Sequence, residues 1–355
     1  MAQTWRVVDT GLGSPARNIA LNRALLEARR ADEIPSTLRF LRTTRCALLA
    51  YHQSPHQELD LVYCRAHRIA VQRRVTGGAA LYVDERQLGW ELYLHRREVG
   101  ADGTQAIAKR ICHAAATALC ALGIDARYRA RDEIEVNGRK VCATGSAADG
   151  DGLLIQATLF VDIDTEQMTS VLRMPAAPAH DEAIACARSR VAGLRELLGR
   201  QPDLQVIRRN LAEAFESEFD VEFREADLTL TEHARFEAAL REIDTADWIH
   251  LVARPASETP MLYAAHACAG GLLRAAVRYE QSTQIIRQVW FSGAITVNPR
   301  RTIADLEAAL HDLPISRLPR KIEWFFASRA VDMAPLVPDD FVTIIRLALQ
   351  QPLLA

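Results

Sequence analysis

The chain has 355 residues, 49% hydrophobic and 25% charged, with a net charge of −2 at neutral pH. That is enough apolar chain for one large domain and a smaller one, and the near-neutral balance excludes any reason to expect a nucleic-acid or anionic-membrane partner. Seven cysteines, an odd number with no CxxC pair, argue against a disulfide framework or a zinc site. The opening residues carry no signal-peptide core and no apolar run reaches transmembrane length, which predicts a cytoplasmic enzyme with no membrane association.

Leu21, Ala24, Leu25 and Ala28, with Ile19 and Ala20 before them, recur at helical spacing and predict an amphipathic helix. Next comes Arg73-Arg74-Val75-Thr76-Gly77-Gly78. Two arginines supply forks for carboxylate or phosphate, and two glycines tolerate positive φ and let backbone approach a ligand. Ala79–Val83 then reads as a buried strand, so the Gly-Gly turn stands at the entrance to a sheet. On a strand the two arginines would point to opposite faces, which leaves one for a pocket and the other for the surface.

Residues from Ile107 to Leu122 predict a second helix, closed by Gly123. Residues 132–144 read as strand, tight turn, strand, because Asn137-Gly138 suits a type I′ turn. Lys140 therefore starts the returning strand, on a rigid element. Cys142, two residues on, is expected on the same sheet face and is read as core packing. Further helices are predicted from about Glu182 to Leu198, closed by Gly199, and from Leu204 to Phe219.

The turn-rich run from Arg254 to Pro260 reads as a linker. Beyond it Gly270–Tyr279 predicts a strand with outward arginines, Gln284–Gly293 its partner, and Ile303–Leu310 a helix. The fold class expected is α/β (α+β) with a mixed, largely antiparallel sheet. The division expected is a large domain over 1–250, a linker over 251–260 and a small α+β domain over 261–355. Neither GxGxxG nor GxxxxGK[ST] occurs, so a nucleotide would not use a Rossmann or P-loop cradle. His52, His67, His113 and His266 show no metal-ligand spacing, and ordinary packing is the reading for each.

Taken together, the Arg73–Asp84 and Asp132–Thr144 segments resemble the lipoate–protein ligase family, within the class II synthetase-like biotin/lipoate ligase fold, which makes residues 1–250 its catalytic domain and 261–355 its accessory domain. The family pattern is Arg-Arg-x-Ser/Thr-Gly-Gly-Gly-Ala-Val-Tyr/Phe-His-Asp, then Asn-Asp-Ile followed by Gly-x-Lys-Ile/Val. Asn18–Leu26 is similar to the family's first helix, Thr37–Arg42 and Leu48–Gln53 to its first strands, and Leu153–Asp162 to a later strand. The chain departs from the pattern at Ala79 for the third glycine, Val83 for the histidine, Arg86 for a later glycine and Ala143 for the glycine after the lysine. Gln156-Ala157-Thr158 stands for His-Gly-Thr. These departures point to a divergent subgroup.

The resemblance implies ATP-dependent activation of lipoate to lipoyl-adenylate, with Mg2+, and transfer to a lysine of a lipoyl-domain or H-protein-like acceptor. It makes Lys140 the catalytic charge and Arg73, Arg74, Thr76, Gly77, Gly78, Ala79, Asp84 and Thr158 the substrate- and nucleotide-binding set. Asp84 has two readings, a magnesium or loop-fixing role and a plain turn cap. Thr158 and Gln156 also read as hydrogen-bonding within the sheet. Octanoate competes with lipoate as the acid. Two other functions stay open: an octanoyl- or lipoyl-transferase, which needs a cysteine nucleophile that residues 124–131 lack, and a non-catalytic lipoyl-protein-binding relative.

Overall fold

The structure, a computed structural model, describes residues 3–100, 103–130, 133–173, 180–252 and 261–350. The predicted linker at 254–260 falls outside them.

Eleven strands form the first part of the chain. They are β1 (Gln3–Gly13), β2 (Thr37–Thr43), β3 (Cys46–Leu49), β4 (Ala70–Arg73), β5 (Leu81–Val83) and β6 (Leu88–His95), then β7 (Arg127–Arg129), β8 (Glu133–Val136), β9 (Arg139–Asp149), β10 (Gly152–Leu159) and β11 (Val221–Glu225). Eight of them make one sheet in the order β11-β1-β2-β6-β10-β9-β8-β7, and β4-β3-β5 make a small second sheet. In the large sheet β1 runs parallel to β11 and β2, while every other pairing is antiparallel. The sheet is mixed and largely antiparallel, as expected.

Alternation along the strands sends every second residue to each face. On β6, Leu88, Trp90, Leu92 and Leu94 enter the core that the helices Thr104–Cys120 and Leu204–Phe219 cover. Trp90 meets Phe215 there at a centroid separation of 5.2 Å. The other face, with Tyr93, Ala147 and Leu154, packs under the first helix, Pro15–Arg30. Pro15 at its first turn and Ser14 at its N-cap start that helix.

Two sequence expectations are corrected. The helix predicted over Glu182–Leu198 is two helices, His180–Arg190 and Leu194–Leu198. Between them the chain turns in against β9, where the Ala192 N–H donates to the Lys140 carbonyl at 2.9 Å. Local propensity favoured continuity, and this pairing to a distant strand broke it. The second correction concerns Cys142. Asn137 and Gly138 take φ of 51° and 77°, which makes the expected tight hairpin, but the ladder then slips. Lys140 opposes Glu135 while Cys142 opposes Ile134, which leaves Val141 as an extra residue. This bulge sends Val141 and Cys142 both into the core and turns Lys140 to the opposite face.

The C-terminal part forms a four-stranded antiparallel sheet, β12 (Leu262–Cys268), β13 (Gly271–Glu280), β14 (Ile285–Gly293) and β15 (Leu313–Pro314), in chain order. The helices Thr302–Ala309, Leu318–Ala327 and Pro338–Leu349 cover it, and Phe291, Phe325 and Phe341 centre a core of its own. This unit docks on the larger one through specific polar contacts. Gly293 N–H donates to His52 O (2.9 Å) and Gly78 N–H to Ile295 O (3.1 Å). The Ala148 N–H donates to Asn298 Oδ1 at 3.0 Å, and Arg274 of β13 pairs with Glu58. Arg274 was expected to face outward; the docked domain is what gives it a carboxylate.

Candidate active site

A cavity of about 420 Å3 opens where the two units meet, within the usual size of a small-molecule site. Arg74, Gly78, Ala79 and Leu81 line one wall, and Glu133, Lys140, Ala143 and Gly145 another. The C-terminal unit adds residues 267–272 and Asp332.

Arg74 is the most informative member. It is buried, and its guanidinium braces the loop that follows it: Nε donates to Thr76 Oγ1 (2.9 Å), and Nη2 to the carbonyls of Gly77 (2.7 Å) and Ala79 (2.9 Å). Nη1 has no partner among the described residues. Burial alone lowers its pKa to about 10, so it stays charged at neutral pH. A buried cation with one fork unused, lining a cavity, is suited to a carboxylate or phosphate.

Arg73 has a different task. It is fully buried and not on the surface, and donates to four backbone carbonyls: Ala50 (3.0 Å), Tyr51 (2.6 Å), Trp248 (3.0 Å) and Ile249 (2.7 Å). It ties β4 to the segment around Trp248, away from the cavity. The two arginines do diverge as strand geometry requires, but the one turned from the pocket found carbonyls instead of water.

Lys140 lines the cavity and pairs with Glu133 across the hairpin. The bulge at Val141 is what brings the lysine to this side. Gly78 and Ala79 also line the cavity, and Gly78 takes φ of 100°, where a side chain would be strained. Gly77 is not on the cavity wall. A Cβ there would stand 2.7 Å from the Ile295 carbonyl oxygen, so the close approach that needs this glycine is made by the C-terminal unit. Thr76 is buried, accepting from Arg74 and donating to Gln156 Oε1 at 3.1 Å. Asp84 accepts from the Arg86 backbone N–H (2.9 Å) and from its guanidinium. That is the turn-cap reading, with the carboxylate occupied by Arg86.

Thr158 lies on a second, much smaller cavity of about 30 Å3. Sheet register connects the two. One row across the strands runs Glu133–Ala143–Thr158–Gly89–Leu41, and the next runs Gly145–Gln156–Glu91–Arg39. The first row starts in the large cavity and ends in the small one, under Leu48 and Val83 of the small sheet. The second row is a buried polar network. Glu91 accepts from Arg39 (3.0 Å), Asn22 (2.6 Å), Gln156 (2.8 Å) and Tyr93 (2.5 Å). Every oxygen lone pair is used, which is the condition for burying a carboxylate.

Sequence reasoning missed Asp332, which accepts from the Thr104 backbone N–H at 3.2 Å at the start of a long helix. It also missed Gln87 and Glu91. Asp332 carries no local signal, since tertiary docking alone brings it to residues 228 positions earlier. Glu91 had one: a charge on a strand otherwise apolar at alternate positions.

The fold and the cavity define a two-part α/β protein with a glycine-walled site between its parts, where Arg74 and Lys140 stand with Glu133 and Asp332. Residues 14–216, more than half of the chain, match the lipoyl protein ligase A/B catalytic domain family, and the chain belongs to that family. Among its relatives is the octanoyltransferase LipM of Moorella thermoacetica, 27% identical over 268 residues, covering 70% of this chain and 98% of the relative. Another is lipoate-protein ligase A subunit 1 of Thermoplasma acidophilum, 25% identical over 232 residues, covering 62% and 86%. The solved structure of P. falciparum LipL1 in complex with lipoate shares the fold over 98% of this chain and all of that one, with a TM-score of 0.73 at 15% identity. The likeness thus extends through the C-terminal unit. No helix among the described residues is long and apolar enough to cross a membrane.

Proposed function

We propose that this enzyme is an ATP-dependent lipoate–protein ligase. In the first step a lipoate carboxylate oxygen attacks the α-phosphorus of ATP and pyrophosphate leaves. In the second, the ε-amine of an acceptor lysine attacks the acyl carbonyl; the amide forms, AMP leaves and the amine proton is released. A carboxylate is a poor acyl donor, so the anhydride is what makes the second step possible.

The observation that carries this reading is the pair of cations at one cavity, Arg74 with an unpartnered, buried Nη1 and Lys140 on the opposite wall. Fixed positive charge in a partly dehydrated site stabilises the negative charge gathered on phosphate oxygens during transfer. Arg74 holds the carboxylate or phosphate, and Lys140 leaves Glu133 to meet the developing charge. Gly78 and Ala79 supply backbone at close range. Magnesium would enter with the nucleotide, as the counter-ion of its phosphates. The acceptor is a lipoyl domain or an H-protein-like carrier.

Similarity to octanoyltransferases favours a second reading, transfer through an enzyme thioester. That chemistry needs a thiolate. Cys268 is the cysteine on the cavity wall, and its thiol donates to the Gly271 carbonyl at 3.3 Å. Burial pushes its pKa up, and the nearby Asp340 adds to that. Such a thiol is a poor nucleophile. Lipoate-dependent exchange of labelled pyrophosphate into ATP, with magnesium and no acceptor, separates the readings. Exchange supports the ligase; its absence in folded protein that binds lipoate moves the assignment to a transferase or an inactive binder.

A further inference from the structure

Gln87 lines the smaller cavity. It sits in the turn between β5 and β6 and is 2% exposed. Its Oε1 accepts the Asp84 backbone N–H at 2.9 Å, and this fixes which end of the amide is oxygen. Nε2 is thereby the donor end, and it is buried with no partner among the described residues. It is alone in this among the residues lining the cavity: the Glu91 carboxylate is saturated, and the Asn18 amide donates to Arg42 O and Thr43 Oγ1 at 3.0 and 2.9 Å. An unmet buried donor weakens the fold unless something occupies it.

The register gives the distance. From Ala143 on the wall of the larger cavity, the row crosses Thr158 to Gly89, two strand spacings of about 4.8 Å each. That is close to the reach of an extended eight-carbon acyl group whose carboxyl end lies in the larger cavity at Ala143. Gln87 is two residues before Gly89 and lines the smaller cavity with it. The walls along the row are small or movable: glycine at 89, and Leu41, whose Cγ would lie 2.8 Å from a Cβ at that glycine. A tail would enter by displacing Leu41 and Leu48.

Resting on the acyl-activating role proposed above, we infer that Gln87 is a specificity-determining residue, selecting acids with a hydrogen-bond-accepting heteroatom at the far end of the chain. A dithiolane sulfur meets that description. The terminal methyl of octanoate does not, and leaves Nε2 unpaired.

The test compares kcat/KM for lipoate and octanoate in pyrophosphate exchange, with calorimetric binding of both acids, for the native protein and for Gln87→Met. Methionine keeps the length and removes the donor. The lipoate-to-octanoate ratio should favour lipoate natively and fall about three- to tenfold in the variant, the scale of one neutral hydrogen bond. A ratio within one preparation does not depend on how much of the variant is folded. No native preference, or one that survives in Gln87→Met, overturns the inference and leaves the ligase reading standing. If neither acid binds or supports exchange, the functional reading falls and the inference with it.

Discussion

Replacing Lys140 with alanine separates catalysis from stability with little ambiguity. The lysine and Glu133 are 27% and 21% exposed, and an ion pair open to water to that degree contributes at most about 1 kcal/mol. Lys140→Ala should therefore lower Tm by less than about 4 °C. On the proposed mechanism, losing a fixed charge beside the reacting phosphate is far more costly, on the order of 100- to 1000-fold in rate, or about 3–4 kcal/mol of transition-state stabilisation. Lipoate-dependent pyrophosphate exchange, read beside a thermal melt of the same sample, measures both. Glu133→Gln is the companion: it frees the lysine and should keep exchange. Native exchange by Lys140→Ala would refute the assignment, and a loss matched by a large fall in Tm would make Lys140 structural.

Three further outcomes follow from the geometry. Gly77→Ala places a methyl against Ile295 O and Thr296, so it should loosen the C-terminal unit by about 1–3 kcal/mol, detected as faster limited proteolysis. Arg73→Met leaves four backbone carbonyls without their donor and should destabilise by more than about 3 kcal/mol, measured by urea unfolding. His52 is buried near Arg73 and Arg300, and desolvation first, then those like charges, lower its pKa to about 3. Between there and its ordinary value of about 6.5 only the unfolded chain binds the proton, so stability falls as pH drops through that window. At pH 5 the loss is about 2 kcal/mol. His52→Gln should remove that part of the acid slope in unfolding measured at pH 7.5 and 5.0.

Wherever function depended on local chemistry it was legible in the chain. Asn137-Gly138 specifies its own turn, the helix Leu204–Phe219 follows from its apolar period, and the Arg73–Asp84 run is recognisable as family pattern because its residues are contiguous. The location of Lys140 on a strand also followed, whereas Arg74, expected on a strand with Arg73, lies one residue beyond β4. Which way those side chains faced did not. One bulge at Val141 reverses the face of Lys140 relative to Cys142, and a single-residue slip has no signature in composition or alternation. Arg73 and Arg74 were interchangeable by sequence; carbonyls from residues 50 and 51 and from 248 and 249 engaged the first, and the cavity kept the second. The break at residues 191–193, the docking of Ile295 on Gly77 and the approach of Asp332 to Thr104 likewise depend on residues distant in the chain. The sequence alone determined the Asn137-Gly138 turn, most of the helices, the family and the charged residues available for chemistry, because turn and helix preferences act within a few residues. The tertiary structure decided which of those charges share a cavity, because register and domain packing are settled between segments that carry no local record of one another.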